Sequence, residues 1–296
     1  MSRRPEYRRP PGPSVLPGRE RRRTGHRREH GSRADAPRGR DRRAGALADI
    51  SAHRAVAYQD VVAVHFDGHP YAARGPINQL KREVLVAEVT AAGPNGGAFT
   101  VLVATRKGAK QAQSDAASRG YAEEQRFWSG IGRREDLAHD VAVYRAVLAV
   151  RKELAPNGIG AVRVRLEAEL RGLVARRSER ARARADRKAA DAERRRAAAE
   201  LGLPLTPEGQ VAFPDAQLEY AVSEDGGRDT FGRINVEVTT EHYRAGAIAA
   251  KAAAGFALYG STGKAGRLIA KAFQDAVKPQ RSGGARDPRP PELMEI

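Results

Sequence analysis

The strongest local constraint on the fold is the sequence Gly-Pro-Asn-Gly-Gly at residues 93–97, which separates two runs of alternating apolar residues. Asn-Gly in this setting is a strong β-hairpin signal, because both residues tolerate the left-handed backbone of a tight turn. A helix opened by Thr105 is predicted to follow. Three short segments before the hairpin have the apolar spacing of helices: residues 46–56, 58–66 and 69–84.

Three helices followed by a hairpin is the element order of a winged helix-turn-helix, which we predict for residues 45–118. In such a module the third helix lies in the DNA major groove, and the hairpin touches the backbone or the minor groove. Asn and Gln side chains pair with adenine, and Arg and Lys with guanine or phosphate. The candidate DNA-binding residues are Arg74, Asn78, Gln79, Lys81, Arg82 and Lys107.

Two features leave alternatives to this interpretation. Pro76 either starts the third helix or kinks it, and if it starts the helix, Arg74 leaves the DNA-reading surface. Lys81 and Arg82 can equally form an ordinary solvated face, and winged helices also serve as protein-docking modules.

The distribution of charge favours a polyanionic partner. The chain has 296 residues and a net charge of +17, and fifteen arginines against five acids place ten of those charges in residues 1–44. This Pro- and Gly-rich arm has almost no aliphatic side chains, so we predict that it is disordered and grips phosphates without sequence preference. A solubilising tail is the alternative. Residues 276–296 are likewise predicted to be a disordered tail.

The composition excludes several classes of site. The chain has no cysteine, which rules out disulfides, thiolate metal sites and a cysteine nucleophile. No apolar stretch is long enough to span a membrane, and the N-terminus lacks the apolar core of a signal peptide. We therefore expect a cytoplasmic protein that binds double-stranded DNA and no membrane; its oligomeric state stays open.

Residues 119–158 are predicted to connect the winged helix to a second folded part. They contain the only tryptophan and a helix over residues 136–154, whose apolar stripe packs on another element. His139 and Asp140 suggest a catalytic pair, but adjacent helical positions point in different directions. We therefore interpret His139 as a structural residue.

The second folded part, residues 159–275, is predicted to be a mixed α/β domain, so the whole chain belongs to the α+β or α/β class. After a first strand, residues 171–200 form a basic Ala/Arg helix without a sustained apolar heptad. We interpret it as an exposed helical insertion that lies along a phosphate backbone or is simply solvated. Two strands around an acidic, Gly-rich turn follow, and then a long Ala-rich helix that reaches Tyr259.

Three ionisable side chains in this domain suggest a metal-dependent active site. Asp215 and Glu237 lie on the two strands, and antiparallel pairing would bring them together at one end of the sheet. Neighbouring buried carboxylates repel each other unless a cation joins them, and oxygen ligands suit Mg²⁺ or Mn²⁺. Lys251 on the following helix would orient a water molecule or stabilise charge on a phosphoryl oxygen. Otherwise Glu237 pairs with an arginine and Lys251 faces water.

These residues carry a resemblance to known families. Asp215 after a proline, Glu237 in an apolar strand and Lys251 on a helix resemble the PD-(D/E)XK nuclease-like fold in its variant with a migrated lysine. Together with the winged helix, the helix HDVAVYRAVL and the sequence GFALY, they look like the replication-relaxation family of plasmids and other mobile elements. This resemblance implies a DNA-binding accessory protein of replication, relaxation or transfer, with replication or conjugation proteins as further partners.

The chain departs from that pattern in two ways. The usual motif places lysine two residues after the second acid, where this chain has Thr239. The fold usually has a further strand after the lysine-bearing helix, and we predict a loop and another helix there. The main expectation is therefore a DNA-binding accessory protein whose nuclease-like domain either cuts DNA weakly or is inactive and serves as a platform. The alternatives are an active Mg²⁺-dependent nickase and an interaction scaffold that does not bind DNA.

Overall fold

A computed structural model describes residues 35–93, 96–118, 125–157, 159–206, 208–224, 228–277 and 294–295. The chain divides into Met1–Ala36 and one compact unit, Pro37–Ile296. The predicted arm, residues 1–44, lies outside the described residues up to residue 34. Its remaining residues are helical rather than disordered, because they extend the first helix of the folded unit towards the N-terminus.

The first elements are α1 (Asp35–Ala52), β1 (Ala55–Ala57), α2 (Tyr58–His65), α3 (Pro70–Arg82), β2 (Val86–Ala92), β3 (Ala98–Ala104) and α4 (Arg106–Ser118). The three strands form an antiparallel sheet in the order β1-β3-β2. β2 and β3 pair up to Ala92 opposite Ala98, which confirms the predicted hairpin. The three predicted helices correspond to α1, α2 and α3.

β1 replaces the end of the predicted first helix. Ala55 to Ala57 pair with Val103 to Val101 of β3, so the neighbouring strand holds extended a segment whose apolar spacing fits a helix. Arg54, just before β1, has a φ of 65°. The helical prediction for residues 53–56 was therefore wrong.

Pro76 lies inside α3 and does not start it. The helix begins at Pro70, whose fixed φ suits a first helical position. Arg74 consequently stays on the helix. The residues that hold α3 against the core are Ala73, Ile77 and Leu80.

The second sheet consists of β4 (Gly160–Leu166), β5 (Ala216–Glu224), β6 (Arg228–Thr239), β7 (Ala257–Gly260) and β8 (Met294–Glu295), in that spatial order. β4, β5 and β6 are antiparallel neighbours, as predicted for the last two. β7 pairs in parallel with β6, and β8 pairs in parallel with β7. β8 is the described part of the predicted tail beyond residue 277.

α5 (Leu137–Leu154) packs on both sheets. Leu137 and Val141 at its N-terminal end join the apolar cluster on β1 and β3. Val143 and Val147 join the cluster on β4, β5 and β6. The helix that the apolar stripe predicts is thus confirmed to within one residue, and it contributes to two cores.

Residues 171–200 belong to two helices and not to the single exposed helix predicted. α6 (Glu167–Arg184) and α7 (Arg187–Glu200) are separated at Asp186, whose side chain accepts a hydrogen bond from the N–H of Ala189 at 2.8 Å and caps α7. The base of this helical hairpin is buried in an apolar cluster made by Leu170, Val174, Ala197, Ala198, Leu203, Val211 and Phe213.

The predicted long helix after β6 ends early. α8 (Ala245–Ala253) is terminated by Gly255, which has a φ of 80°. The N–H of Phe256 donates to the carbonyl of Lys251 at 3.1 Å, which completes a glycine cap. β7 follows directly, so the prediction that no strand comes after the lysine-bearing helix was wrong. α9 (Gly263–Val277) then packs on β7.

Among the helices described here, none combines the length and the apolar character needed to cross a membrane.

Candidate active site and nucleic-acid interface

Asp215 and Glu237 face each other at one end of β5 and β6. Ala216 pairs with Val236 in the antiparallel register, so the next two positions, Asp215 and Glu237, are cross-strand neighbours. The backbone N–H of Val238 donates to Asp215 Oδ2 at 2.7 Å. This bond fixes the Asp215 carboxylate beside the strand that carries Glu237.

Lys251 reaches the same place from α8. Its Nζ lies 2.5 Å from Glu237 Oε1 and donates to the backbone carbonyl of Phe213 at 3.2 Å. The hydroxyl of Tyr243, in the loop after β6, donates to the same Glu237 oxygen at 2.7 Å. The structure thus brings together the three side chains that the sequence suggested as catalytic.

Glu237 lies in an environment that disfavours its charge. Only 2% of its side chain is exposed. Burial raises the pKa of the Glu237 carboxyl, the negative charge of Asp215 raises it further, and Lys251 and Tyr243 oppose the shift. Its second oxygen, Oε2, is buried and has no hydrogen-bond partner within the described part of the chain. A buried carboxylate oxygen without a donor is costly, which makes Oε2 a candidate ligand for a cation.

The chemistry of these donors fits a hard divalent ion that is shared with a substrate. Mg²⁺ is usually bound by one or two protein carboxylates, with water and substrate phosphate completing its coordination. Asp215 and Glu237, the latter through Oε2, would hold such an ion. The described residues contain no group of three or more His, Cys, Asp or Glu side chains that could hold a metal on their own.

A cleft of about 350 Å³ opens beside Asp215. It lies where the N-terminal turn of α5 meets the end of β4 and the start of α6. Because its wall is mainly acidic, a nucleic-acid phosphate would need cations to enter it. The ionisable residues along it include Arg54, Asp136, His139, Asp140, Glu167 and Asp215.

His139, interpreted from the sequence as structural, lines this cleft. Its Nε2 is 3.5 Å from Asp215 Oδ2. Hydrogen bonding to Asp215 raises the pKa of His139, and burial opposes that shift. Its neighbour Asp140 is also turned towards the cleft, where burial raises the pKa of its carboxyl to about 6.

Four of the six predicted DNA-binding residues are exposed on α3: Arg74, Asn78, Gln79 and Arg82. Arg74, Asn78 and Arg82 are spaced four residues apart, which places them along one side of the helix. Tyr71, which the sequence analysis did not single out, is 92% exposed and extends this row by one turn towards the helix start. We refer to Tyr71, Arg74, Asn78 and Arg82 as the α3 stripe.

The three predicted residues outside the α3 stripe make contacts within the protein. Gln79 Nε2 donates to Glu83 Oε1 at 2.7 Å. Lys107 Nζ donates to the backbone carbonyl of Glu83 at 2.9 Å. Lys81 forms an ion pair with Glu88. A DNA contact by any of them would first break an internal contact, so the α3 stripe is better suited to reading DNA.

Two residues of the site escaped the sequence analysis. Tyr243 lies in a loop, and Arg54 precedes β1 with a left-handed backbone. Neither residue belongs to a recognisable sequence motif, because both lie outside the helices and strands and are brought to the site only by the folding of the chain. Tyr71 carried a usable signal, since it is an aromatic residue at the start of the helix predicted to read DNA.

Comparisons of the chain with protein-family models, with curated proteins and with solved structures gave no match.

Proposed function

We propose that this protein binds double-stranded DNA and hydrolyses a phosphodiester bond in it, using Mg²⁺ or Mn²⁺ held by Asp215 and Glu237. One observation carries the proposal: the buried Glu237 Oε2 has no donor among the described residues and lies beside a second carboxylate at the rim of a cleft. Two such carboxylates repel each other, whereas a divalent cation between them satisfies both.

The side chains around the pair are suited to this reaction, in which water adds across a P–O bond and leaves a phosphate monoester and a free hydroxyl. A divalent ion supplies neutralising charge to the phosphoryl oxygens and lowers the pKa of water. The ammonium group of Lys251, 2.5 Å from Glu237 Oε1, would offset negative charge that develops on a phosphoryl oxygen. Tyr243 hydrogen-bonds Glu237 Oε1, which leaves Oε2 for the ion.

The order of elements supports the same proposal. The resemblance to the PD-(D/E)XK fold implies a strand after the lysine-bearing helix, and β7 occupies that place. The wider resemblance, to the replication-relaxation family, suggests that the DNA belongs to a plasmid or mobile element in the cytoplasm, where the protein would assist replication or transfer.

The α3 stripe is the proposed contact with the DNA bases. Arg74 can pair with guanine and Asn78 with adenine, while Arg82 is suited to a phosphate. The high net charge of the chain adds binding that does not depend on sequence and weakens with salt. Arg74→Ala and Asn78→Ala should each weaken binding to a preferred duplex by roughly 10-fold. Gln79→Ala, which removes a side chain held by Glu83, is the control and should bind almost normally.

Nicking of supercoiled plasmid in Mg²⁺ or Mn²⁺ tests the cleavage. We expect Asp215→Asn and Glu237→Gln to lose activity by roughly 100-fold or more, because each removes a ligand of the ion. Both variants should still bind a short duplex in EDTA. Glu241→Gln is the matched control, since Glu241 is an exposed carboxylate on the same segment that pairs with Lys264.

The other outcomes identify the competing functions. Nicking that persists unchanged in both carboxylate variants would refute the metal site. DNA binding without nicking by the unaltered protein would leave a DNA-binding accessory protein with an inactive nuclease-like part. A protein that does not shift DNA at low salt would be an interaction scaffold.

A further inference from the structure

Two cationic side chains stack on the single tryptophan of the chain. The guanidinium carbon of Arg54 lies 4.1 Å from the centroid of the Trp128 ring, and that of Arg126 lies 4.0 Å from it. Both distances are within the range of cation–π attraction. The two arginines differ in place, because Arg54 lines the cleft beside Asp215, whereas Arg126 is exposed outside it.

The Trp128 ring is carried by a segment that is hydrogen-bonded to α1 and to β4. The N–H of Trp128 donates to the carbonyl of Ser51 in α1 at 2.7 Å. The side-chain amide of Gln125 accepts from the N–H of Val164 in β4 at 3.0 Å and donates to its carbonyl at 3.1 Å. The segment that carries the ring is therefore anchored to α1 and to the second sheet.

The backbone of Arg54 is also held in a specific conformation. Its φ of 65° lies in the left-handed region, which arginine rarely adopts. Such a conformation persists only where the surrounding structure enforces it, and such residues are concentrated at functional sites.

Arg54 makes no hydrogen bond and no ion pair in the part of the chain that the structure describes. Its charge acts on Asp140 through space, without a direct contact. A guanidinium has five N–H donors, and stacking uses only its face, so the donors along its edge stay available. Among the residues that line the described cleft, Arg54 is the one that is cationic at every physiological pH; the others that ionise are carboxylates and histidines.

We propose that Arg54 binds a phosphate of the DNA strand that enters the cleft, adjacent to the phosphate that is cleaved, and that Trp128 positions it. The inference rests on the proposed cleavage, because it assigns Arg54 to the same substrate. A strand that enters this acidic cleft is repelled by the carboxylates along it, and Arg54 offsets part of that repulsion beside the metal site. Arginine suits the role because its planar edge matches two phosphate oxygens.

The first test compares Arg54→Asn with Arg126→Asn in the plasmid-nicking reaction. Asparagine tolerates the left-handed region, so Arg54→Asn removes the guanidinium without adding backbone strain. The loss of a charge-assisted contact predicts a roughly 10- to 100-fold fall in kcat/KM for Arg54→Asn. Arg126→Asn removes the other cation from the same ring and should leave kcat/KM unchanged. Arg54→Lys keeps the charge without the planar fork and should give an intermediate value.

The second test uses Trp128 as a reporter. Because it is the only tryptophan, intrinsic fluorescence reports directly on the stacked arginines. Titration with a short duplex in EDTA should change the emission of the unaltered protein and of Arg126→Asn, but not that of Arg54→Asn. For the positioning role, Trp128→Phe retains a ring and should keep most activity, whereas Trp128→Leu should resemble Arg54→Asn.

The outcomes separate this inference from the proposed function. Equal nicking by the two Asn variants, with equal fluorescence responses, would overturn the inference and leave the cleavage in place. If the unaltered protein does not nick plasmid, the proposed function fails, and a fluorescence response lost only in Arg54→Asn would still identify Arg54 as a phosphate ligand. Thermal melts check folding, and if Arg54→Asn is unfolded, Arg54→Lys decides by the same two readouts.

Discussion

The ion pair between Lys251 and Glu237 predicts a specific loss of stability in Lys251→Met. The two side chains are 25% and 2% exposed, so water cannot replace the lost partner. Removal of one member of a buried ion pair costs about 3–5 kcal/mol, because the other charge stays buried alone. Tyr243 still donates to Glu237 in the variant, so we expect the lower end, about 3 kcal/mol. For a chain of this size, that lowers Tm by roughly 6–12 °C.

Urea unfolding followed by circular dichroism measures this cost in a double-mutant cycle. Lys251→Met/Glu237→Gln buries no charge at this position and should recover about 2 kcal/mol of the loss. Lys264→Met is the matched control, because Lys264 pairs with Glu241 at 3.1 Å, where the side chains are 65% and 41% exposed. An exposed pair of this kind contributes little to stability, because water replaces the lost partner.

The difference in the free energy of unfolding between Lys251→Met and the unaltered protein should become smaller at acidic pH. Burial already raises the pKa of Glu237, and the substitution removes a group that lowers it. The folded variant therefore binds a proton more readily than its unfolded chain, and its relative stability rises as the pH falls through that pKa. Strictly additive costs in the cycle, or a loss no larger than that of Lys264→Met, would refute the reasoning.

Three further predictions concern the metal, the pH and the packing. Mn²⁺ at ten times its Kd should stabilise the unaltered protein by about 1.4 kcal/mol, measured as a rise in Tm that is absent in Glu237→Gln. An equal rise in Tm for the unaltered protein and for Glu237→Gln would show that the ion binds elsewhere. Burial lowers the pKa of His53 from 6.5 to about 4, so the unfolded chain binds a proton first as the pH falls. Between pH 7 and 4.5 this difference lowers the free energy of unfolding of the unaltered protein by about 2 kcal/mol. Measured by urea unfolding, His53→Phe should lose about 2 kcal/mol less stability over the same pH range, and equal losses in the two proteins would contradict the pKa shift. Gly108→Ala places a methyl group 1.9 Å from the carbonyl oxygen of Leu85 and should destabilise by about 2 kcal/mol, whereas Gly75→Ala, with open space around it, should not; similar melting temperatures would contradict this packing.

The helices and the hairpin of the first part could be predicted because their signals are local. The apolar residues of α3 repeat with the helical period, and the Gly-rich turn lies between two alternating runs. β1 could not be predicted in this way. Its three residues are extended only because β3 lies beside them, and alanine has no local preference for a strand.

Two predictions for the second part were wrong although the sequence carries local signals against them. Gly255 caps α8 and marks the start of β7, and Asp186 caps α7 and divides the basic segment into two helices. In both places a continuous run of alanines suggested a continuous helix. Helix propensity does not indicate where a helix ends, whereas a capping residue marks that end.

The site was predictable where strand geometry decides it. The period of two and the antiparallel pairing brought Asp215 opposite Glu237, as expected. The place of His139 in the cleft depends on how the first turn of α5 meets the second sheet, which no local pattern encodes. Arg54 depends on a single left-handed residue and on a ring that is distant in sequence.

The position of α5 has a practical consequence for anyone who dissects this protein. The N-terminal end of the helix packs on the three-stranded sheet beside α3, and the rest of the helix packs on the sheet that carries Asp215 and Glu237. A truncation on either side of α5 would leave one of these two apolar cores exposed to solvent, and the exposed apolar surface would promote aggregation. The proposed DNA binding and the proposed cleavage therefore cannot be assigned by testing separate fragments, and each is better tested by single substitutions in the intact chain.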